Sequence, residues 1–255
     1  MKSKKYWENR VSKTINQAYE DIDKDNLKLK QFYINAIEDL EREIIVTLSK
    51  INNGKPTLSE MYKFNRLNKL KKNMNKILKT LGEDVEYHTK NQIVKAINQS
   101  YKEISVLITK NFSEPSEFLI KKLIENPWSG ELFSNRVWDN QKILNKNLNK
   151  TLKNGLIQGK AINKISQEMS NFMNSNFKNI NRLVRTETMH FLNEAAKESF
   201  KQHNIKKVEV LIAGDERTCP KCMEHDGVIY PINSITLPIH PNCRCCFIPV
   251  IEEVN

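Results

Sequence analysis

All five cysteines of this 255-residue chain lie between Cys219 and Cys246, and the first 218 residues contain none. A disulfide framework needs an oxidising compartment and spreads its bridges along the chain. The amino-terminal stretch is positively charged but has no apolar segment behind it, so we expect no secretory signal. Thiols that cluster at one end of a chain favour metal binding. The distribution therefore predicts a cysteine-free body followed by a short metal-binding segment.

The spacing of the thiols is typical of zinc sites. A Cys-x-x-Cys turn is followed, after seventeen residues, by the pattern His-x-x-Cys-x-Cys. The first pair can direct two thiolates at one point, and a second group about 20 residues later can complete a tetrahedron around the ion. The candidate ligands are Cys219, Cys222, His240, Cys243 and Cys245.

Four donors suffice, so the candidates outnumber the positions. Cys219, Cys222 and Cys243 are the first three donors, either His240 or Cys245 is the fourth, and Cys246 is the weakest candidate. Four protein ligands leave no position for water, which predicts a closed, structural Zn²⁺ site. A redox or disulfide pair and unligated thiols are the alternatives. The short strands around the thiols bury little apolar area, so the ion is expected to contribute folding energy.

The rest of the chain predicts helices, because apolar residues recur every three or four positions. The predicted helices cover residues 6–25, 30–51, 63–79, 85–110, 139–156, 161–173 and 178–203. Asn53-Gly54-Lys55-Pro56 is expected to end the second helix, and Thr57 or Ser59 to cap the third. Two prolines, a tryptophan and a glycine in residues 111–130 predict a hinge between helical regions.

The last 50 residues change period and predict strands. Residues 206–214 alternate apolar and polar side chains, Asp226-Gly227 is a turn that leads into residues 228–230, and residues 247–251 favour a third strand. The predicted fold class is mainly α with a small C-terminal zinc-stabilised β-rich (α+β) module. The predicted domains are an N-terminal helical region at 1–112, a second helical region at 113–203 and a zinc-binding β-rich module at 204–255.

The charge balance is basic, with 41 Lys and Arg against 30 Asp and Glu and a net charge of +11. Seven cations and no anion lie between Lys63 and Lys79. One interpretation is a phosphate-facing surface, or an amphipathic helix on a membrane surface. The other is an ordinary bundle helix with a solvated lysine face. The candidate contacts to nucleic acid are Lys69, Lys71, Lys72 and Lys76. No apolar run approaches the roughly 20 residues of a membrane span.

Two patterns raise the question of catalysis. Glu187 and His190 have the i, i+3 spacing of di-metal carboxylate bundles, but the second such motif that this architecture requires is missing. Arg185-Thr186-Glu187 is therefore interpreted as a buried polar cluster or a helix-face interaction. His240-Pro241-Asn242 has a superficial likeness to a metal-dependent nuclease, but His240 is better placed as a zinc ligand. We predict that the chain is not an enzyme.

A run of residues along the second half resembles the phage Mu F-like minor head protein family, also called phage head morphogenesis proteins. The matching residues are Arg185-Thr186-Glu187, Asn193, Asp215-Glu216-Arg217-Thr218-Cys219-x-x-Cys222, Asp226-Gly227 and Pro238-x-His240-Pro241-Asn242-Cys243-Arg244-Cys245. Further similarity lies upstream in Pro127-Trp128-Ser129-Gly130, Ser134-x-Arg136-x-Trp138, Gly155-Leu156-Ile157-x-Gly159 and Tyr6-Trp7-Glu8-x-Arg10. The resemblance is strong for residues 125–250. Cys246 departs from it, because a polar residue is expected there.

The resemblance implies a minor capsid protein of a phage or prophage, present in few copies, that acts in head morphogenesis and genome delivery. Its implied partners are the portal protein or the inner capsid, and packaged DNA without sequence preference. Its implied location is the capsid interior of the virion, and the host cytoplasm before assembly. The alternative function is a zinc-containing nucleic-acid-binding protein or a metal-dependent nuclease.

Overall fold

The computed structural model describes residues 4–49, 51, 56–111, 113–216 and 218–251. Its helices are α1 Lys4–Leu48, α2 Leu58–Tyr62, α3 Arg66–Thr109, α4 Glu117–Ile124, α5 Phe133–Ile157, α6 Ile162–Gln202 and α7 Pro220–Met223, with a 3₁₀ turn at Lys63–Asn65. Its strands are β1 Lys207–Leu211, β2 Ile229–Pro231 and β3 Cys246–Val250. The predicted fold class is therefore confirmed as mainly helical with a small β-rich C-terminal part. In this part of the chain no helix is both long and apolar enough to cross a membrane.

The helices are longer than the periodicity predicts. The helices predicted at 6–25 and 30–51 are one helix, α1, those predicted at 63–79 and 85–110 are one helix, α3, and those predicted at 161–173 and 178–203 are one helix, α6. Polar residues at the expected breaks of α1 and α6 are bonded to distant segments: the Asn26 amide donates to the Asn181 side chain at 2.7 Å, and Asn176 accepts from the Tyr33 hydroxyl. The proposed terminator overlaps the undescribed residues 52–55, and α1 already ends at Leu48.

The chain turn before α3 shows how local chemistry sets a helix boundary. Thr57, predicted to cap the third helix, caps the short helix α2 that precedes it, and forms a capping box in which the Thr57 amide donates to the Glu60 carboxylate at 2.9 Å. Phe64 and Asn65 then adopt positive φ values of 53° and 57°. This left-handed conformation is uncommon for residues other than glycine, and it breaks α2 from α3. The predicted helix start at residue 63 is accordingly displaced to Arg66.

The three predicted strands are confirmed and form one antiparallel sheet in the order β2-β1-β3. Val208 lies opposite Tyr230 of β2 and Pro249 of β3, so β1 is the central strand. Val208 and Val210 are fully buried. One face of the sheet therefore packs against a core, and β2 and β3 are its edge strands.

The chain forms two compact units, and each is assembled from segments that are distant in sequence. Unit 1 contains residues 1–25, 89–132 and 182–255, and unit 2 contains residues 26–88 and 133–181. The predicted division into 1–112, 113–203 and 204–255 follows chain order and stays a prediction.

Unit 1 has a core that is common to its helices and its sheet. Apolar side chains of α1, α3 and α6 pack in one cluster with those of β1 and β3, and four of the five cysteines belong to the same cluster. Representative members are Trp7, Ile104, Phe200, Val210 and Cys243. The cysteine segment therefore does not fold on strands alone, because apolar side chains of three helices belong to the same core.

Unit 2 contains a close approach between two helices. Gly155 of α5 is buried, and a Cβ atom added to it would lie 2.6 Å from Cγ1 of Ile165 in α6. Since real Cβ contacts are not that short, only glycine permits this packing. The buried Tyr33 hydroxyl donates to Asn176 at 2.5 Å in the same unit.

Candidate metal centre

The first two thiols are positioned by the short helix α7. Cys219 is the residue before the helix, Pro220 is its first residue, and Cys222 follows one turn later. Proline is well suited to this position because it has no amide hydrogen to leave unpaired. The Cys222 amide donates to the Cys219 carbonyl at 3.0 Å, which closes the turn. Both sulfur atoms consequently lie on one side of it.

The other donors lie on a second tight turn. The Cys243 amide donates to the His240 carbonyl at 3.1 Å. Asn242, between them, has a φ of 62°, a left-handed conformation that asparagine tolerates better than most residues. The turn brings the imidazole and the Cys243 thiol to the sulfur atoms of α7.

Two overlapping groups of three donors result. His240 Nε2 lies 3.1 Å from the sulfur of Cys219 and 3.1 Å from that of Cys222. The sulfur atoms of Cys222 and Cys243 are 3.7 Å apart. In one group Cys222 joins Cys219 and His240, and in the other it joins Cys243 and Cys245, with ligand atoms within 4.8 Å of one another in each. We call these five residues the Cys–His cluster.

The orientation of His240 suits a metal ligand. Its Nδ1 lies 2.8 Å from the carbonyl oxygen of Pro241. Because a carbonyl oxygen only accepts, Nδ1 carries the proton of the neutral ring and Nε2 presents its lone pair to the thiols. A backbone carbonyl that fixes the tautomer in this way is a common feature of metal-bound histidines.

The thiols influence one another's protonation. Hydrogen bonding from Cys245 lowers the pKa of Cys243 to about 5, and the same bond raises the pKa of Cys245. Burial raises the pKa of Cys222 to about 12. A thiolate is the form that binds a metal, so the lowered pKa of Cys243 favours metal binding at this sulfur. A cation that also binds the other thiols would release their protons.

The space between the donors fits a single ion. A cavity of about 20 Å³ is lined by all five members of the cluster together with Ala213, Thr218, Asn242 and Arg244. Tetrahedral zinc thiolates, with bonds of about 2.3 Å, place their sulfur atoms about 3.8 Å apart, close to the separation of Cys222 and Cys243. The residues present therefore suit a four-coordinate ion with soft donors.

Cys246 is placed differently from the other four cysteines. It begins β3, belongs to neither group of three donors, and is 4% exposed in the apolar core. Burial raises the pKa of its thiol to about 12. Its role in this structure is packing.

The residues before Cys219 order the loop, as their sequence suggests. The Asp215 amide donates to Thr218 Oγ1 at 3.1 Å, and the Thr218 amide donates to the Asp215 carbonyl at 2.9 Å. The Asp215 carboxylate accepts a hydrogen bond from Arg244, which lies in the chain between the candidate ligands Cys243 and Cys245. This contact with Asp215 raises the pKa of Arg244. Arg217, part of the same motif, lies outside the described residues.

Comparison with known families now identifies this region. Residues 146–248 match the family described as Phage Mu protein F like protein. The chain carries a Mu F-like segment. The segment contains the whole Cys–His cluster and the motif around Glu187, so the resemblance predicted from these residues is confirmed. No curated protein and no solved structure gives a significant match to the chain.

Glu187 and His190 lie inside the Mu F-like segment and face the core of unit 1. Their exposed fractions are 0% and 1%. Glu187 accepts from Trp128 Nε1 at 2.8 Å, and the His190 ring stacks on the Trp128 indole with 4.0 Å between centroids. The pair is therefore enclosed in the core. Of Arg185-Thr186-Glu187, interpreted from sequence as a buried polar cluster or a helix-face interaction, Thr186 and Glu187 are buried, whereas Arg185 is half-buried and pairs with Asp23.

The four lysines predicted to contact nucleic acid precede the Mu F-like segment, on α3. Lys69, Lys72 and Lys76 are exposed and Lys71 is half-buried. Three- and four-residue spacing puts the exposed three on one helix face, opposite the buried Leu70. Within the described residues none of the four forms an ion pair, so their charge is directed at solvent.

One feature of the Mu F-like segment was missed by the sequence analysis. Polar side chains of α6 contact the backbone of the loop that carries the ligands. The available signal was their spacing of four, three and four residues, which places them on the face of α6 that also carries buried apolar side chains. The sequence alone did not reveal the role of this spacing, because it does not predict that the ligand-bearing loop passes over this face of α6.

Proposed function

We propose that this chain is a minor head protein of a phage or prophage that acts in head morphogenesis and genome delivery, in contact with the portal or inner capsid. The observation that carries the proposal is the family match over residues 146–248, which includes every candidate ligand. The role is structural and not enzymatic. The buried state of Glu187 and His190 supports it, because the one carboxylate–imidazole pair raised by the sequence is enclosed in the core.

The Cys–His cluster is proposed to hold one structural zinc ion. Cys219, Cys222, His240 and Cys243 would supply the four donors, and the Cys245 thiol would donate a hydrogen bond to the Cys243 sulfur. The directed Nε2 lone pair of His240 and its 3.1 Å distances to two sulfur atoms support this choice over Cys245. When bound, the ion would join α7 to the second turn, and four protein donors would exclude water and substrate from it.

The location in the head can be tested on purified particles. Virions from the phage or induced lysogen that encodes the chain should contain it in few copies, protected from added protease until the heads are opened. Replacement of Cys222 by serine should reduce infectious particles, whereas replacement of Cys246 should not. Heads that lack the chain, or a chain fully digested on intact particles, would contradict the proposal.

A second candidate function is contact with DNA, favoured by the unpaired lysines of α3. Four phosphate contacts predict that log K falls with log salt with a slope of about −3.6, or about 150-fold weaker binding between 50 and 200 mM salt. Replacing Lys69, Lys71, Lys72 and Lys76 by glutamine should remove most of this slope. The control replaces Lys146, Lys150, Lys153 and Lys178, which are also exposed. Equal effects of both variants, or a flat salt response, would exclude the surface.

A further inference from the structure

Four polar side chains form a buried row along α6. They are Thr186, His190, Asn193 and Lys197, with exposed fractions of 9%, 1%, 0% and 4%. Steps of four, three and four residues place them on one face of the helix. We call this row the polar stripe, and residues 235–245 the metal loop.

Each member of the polar stripe bonds to the backbone of the metal loop. His190 Nδ1 lies 3.0 Å from the Leu237 carbonyl oxygen, and Lys197 Nζ donates to the Ile235 carbonyl at 3.0 Å. The remaining bonds are from Asn193 Nδ2 to the Cys245 carbonyl, at 3.2 Å, and from the Asn242 amide to Thr186 Oγ1, at 3.2 Å. The loop is thus bonded to one helix at four points along its length.

These bonds replace the ladder that a strand would provide. The metal loop lies before β3 and belongs to no strand, yet Leu237, Cys243 and Cys245 are buried. Buried backbone groups without partners are costly, and here helix side chains supply the partners. Thr186 is suited to this task because its hydroxyl donates to the Arg182 carbonyl at 2.7 Å, which leaves a lone pair for the Asn242 amide.

Two of these four hydrogen bonds are made by loop residues that are candidate ligands or lie between them. Asn242 lies between His240 and Cys243 in the second turn, and the bonded Cys245 carbonyl belongs to a cluster residue. We infer that the polar stripe positions the metal loop before an ion binds, so that the Thr186, His190 and Asn193 side chains determine metal affinity through the loop backbone. This inference rests on the proposed zinc centre. Residues that orient metal ligands in this way typically change affinity by about 10–100-fold.

A pair of neighbouring threonines provides a matched test. Thr186→Val removes the acceptor for the Asn242 amide at nearly constant volume, and Thr186→Ser restores it. Thr188→Val is the control, because Thr188 is 1% exposed and its hydroxyl donates within α6, to the Val184 carbonyl at 2.8 Å. Zinc affinity of the full chain is measured by competition with a chromophoric chelator. We expect a loss of about tenfold or more for Thr186→Val, and values within about threefold of the parent for the other two.

Equal affinities for Thr186→Val and Thr188→Val would overturn the inference, since the effect would then be general to the helix. Hydrogen exchange of the unaltered, zinc-free chain gives an answer even if Thr186→Val does not fold. Amides of residues 235–245 should exchange more slowly than in the denatured chain, and unprotected exchange would also overturn it. If the parent chain binds no zinc, the proposed zinc centre fails, whereas the exchange experiment still tests the stripe.

Discussion

Cys222 is the one thiol common to both groups of candidate donors in the Cys–His cluster, so its replacement removes a candidate ligand from each group. Its sulfur lies 3.1 Å from His240 Nε2 and 3.7 Å from the Cys243 sulfur. Serine is similar in size but does not replace the thiolate as a zinc ligand. We expect Cys222→Ser to lose its zinc and Cys246→Ser to keep one ion per chain.

The expected effect on stability follows from mass action. An ion that binds only the folded state stabilises it by about 4.1 kcal/mol when its free concentration is 1,000 times the dissociation constant. For a chain of this size about 1 kcal/mol corresponds to roughly 2–4 °C in Tm, so removing zinc should lower the Tm of the parent by about 8–16 °C. Cys246→Ser should itself lower Tm, because burying a hydroxyl without a partner costs about 1–3 kcal/mol.

The two variants are separated by the response to a chelator. Thermal unfolding under reducing conditions, with zinc and then with excess chelator, should show the full Tm decrease for the parent and for Cys246→Ser. Cys222→Ser should show no further decrease. A chelator effect that is equal in all three proteins, or absent from the parent, would refute the assignment of Cys222 as a shared ligand.

Two further predictions concern packing. Gly155→Ala should destabilise the chain by up to about 2 kcal/mol in denaturant unfolding, since overpacking against Ile165 exceeds the gain in helix propensity. In an Ile165→Ala background, which lacks the two closest atoms but is itself destabilised by a cavity, the additional loss from Gly155→Ala should be much smaller; an equal loss in both backgrounds would contradict the contact. Trp128→Phe should lower the free energy of unfolding by about 1–3 kcal/mol, because it removes a hydrogen-bond donor from the fully buried Glu187. Trp138→Phe should cost less, because it removes a bond of the same length to Glu86, which is only half-buried. Equal losses for the two variants would contradict the importance of burial.

The helices and strands could be predicted from the sequence wherever local pattern decides. Period and capping chemistry indicated the helix after Thr57, and β-branched alternation indicated β1. The unbroken lengths of α1 and α6 could not be predicted, because polar residues at their expected breaks are paired by distant parts of the chain. Asn26 bonds to Asn181, 155 residues away, and no local rule contains that information.

The candidate site, like the fold, was predicted from the sequence only where the information is local. Sequence spacing was enough to name the five candidate donors that the structure brings together, since a turn of fixed length places two thiols side by side. The choice among donors needed the direction of His240 Nε2, and the support of the metal loop by Thr186 and Asn193 needed the path of the loop across α6. Both depend on tertiary packing.

X-ray absorption at the zinc edge of the purified, reduced full chain tests the central claim most directly. The closed four-donor site predicts one zinc per chain with three sulfur atoms at about 2.3 Å, one nitrogen at about 2.0–2.1 Å and no oxygen. A chain without zinc, or an ion with a water ligand in its coordination shell, would contradict the proposal of a closed structural centre.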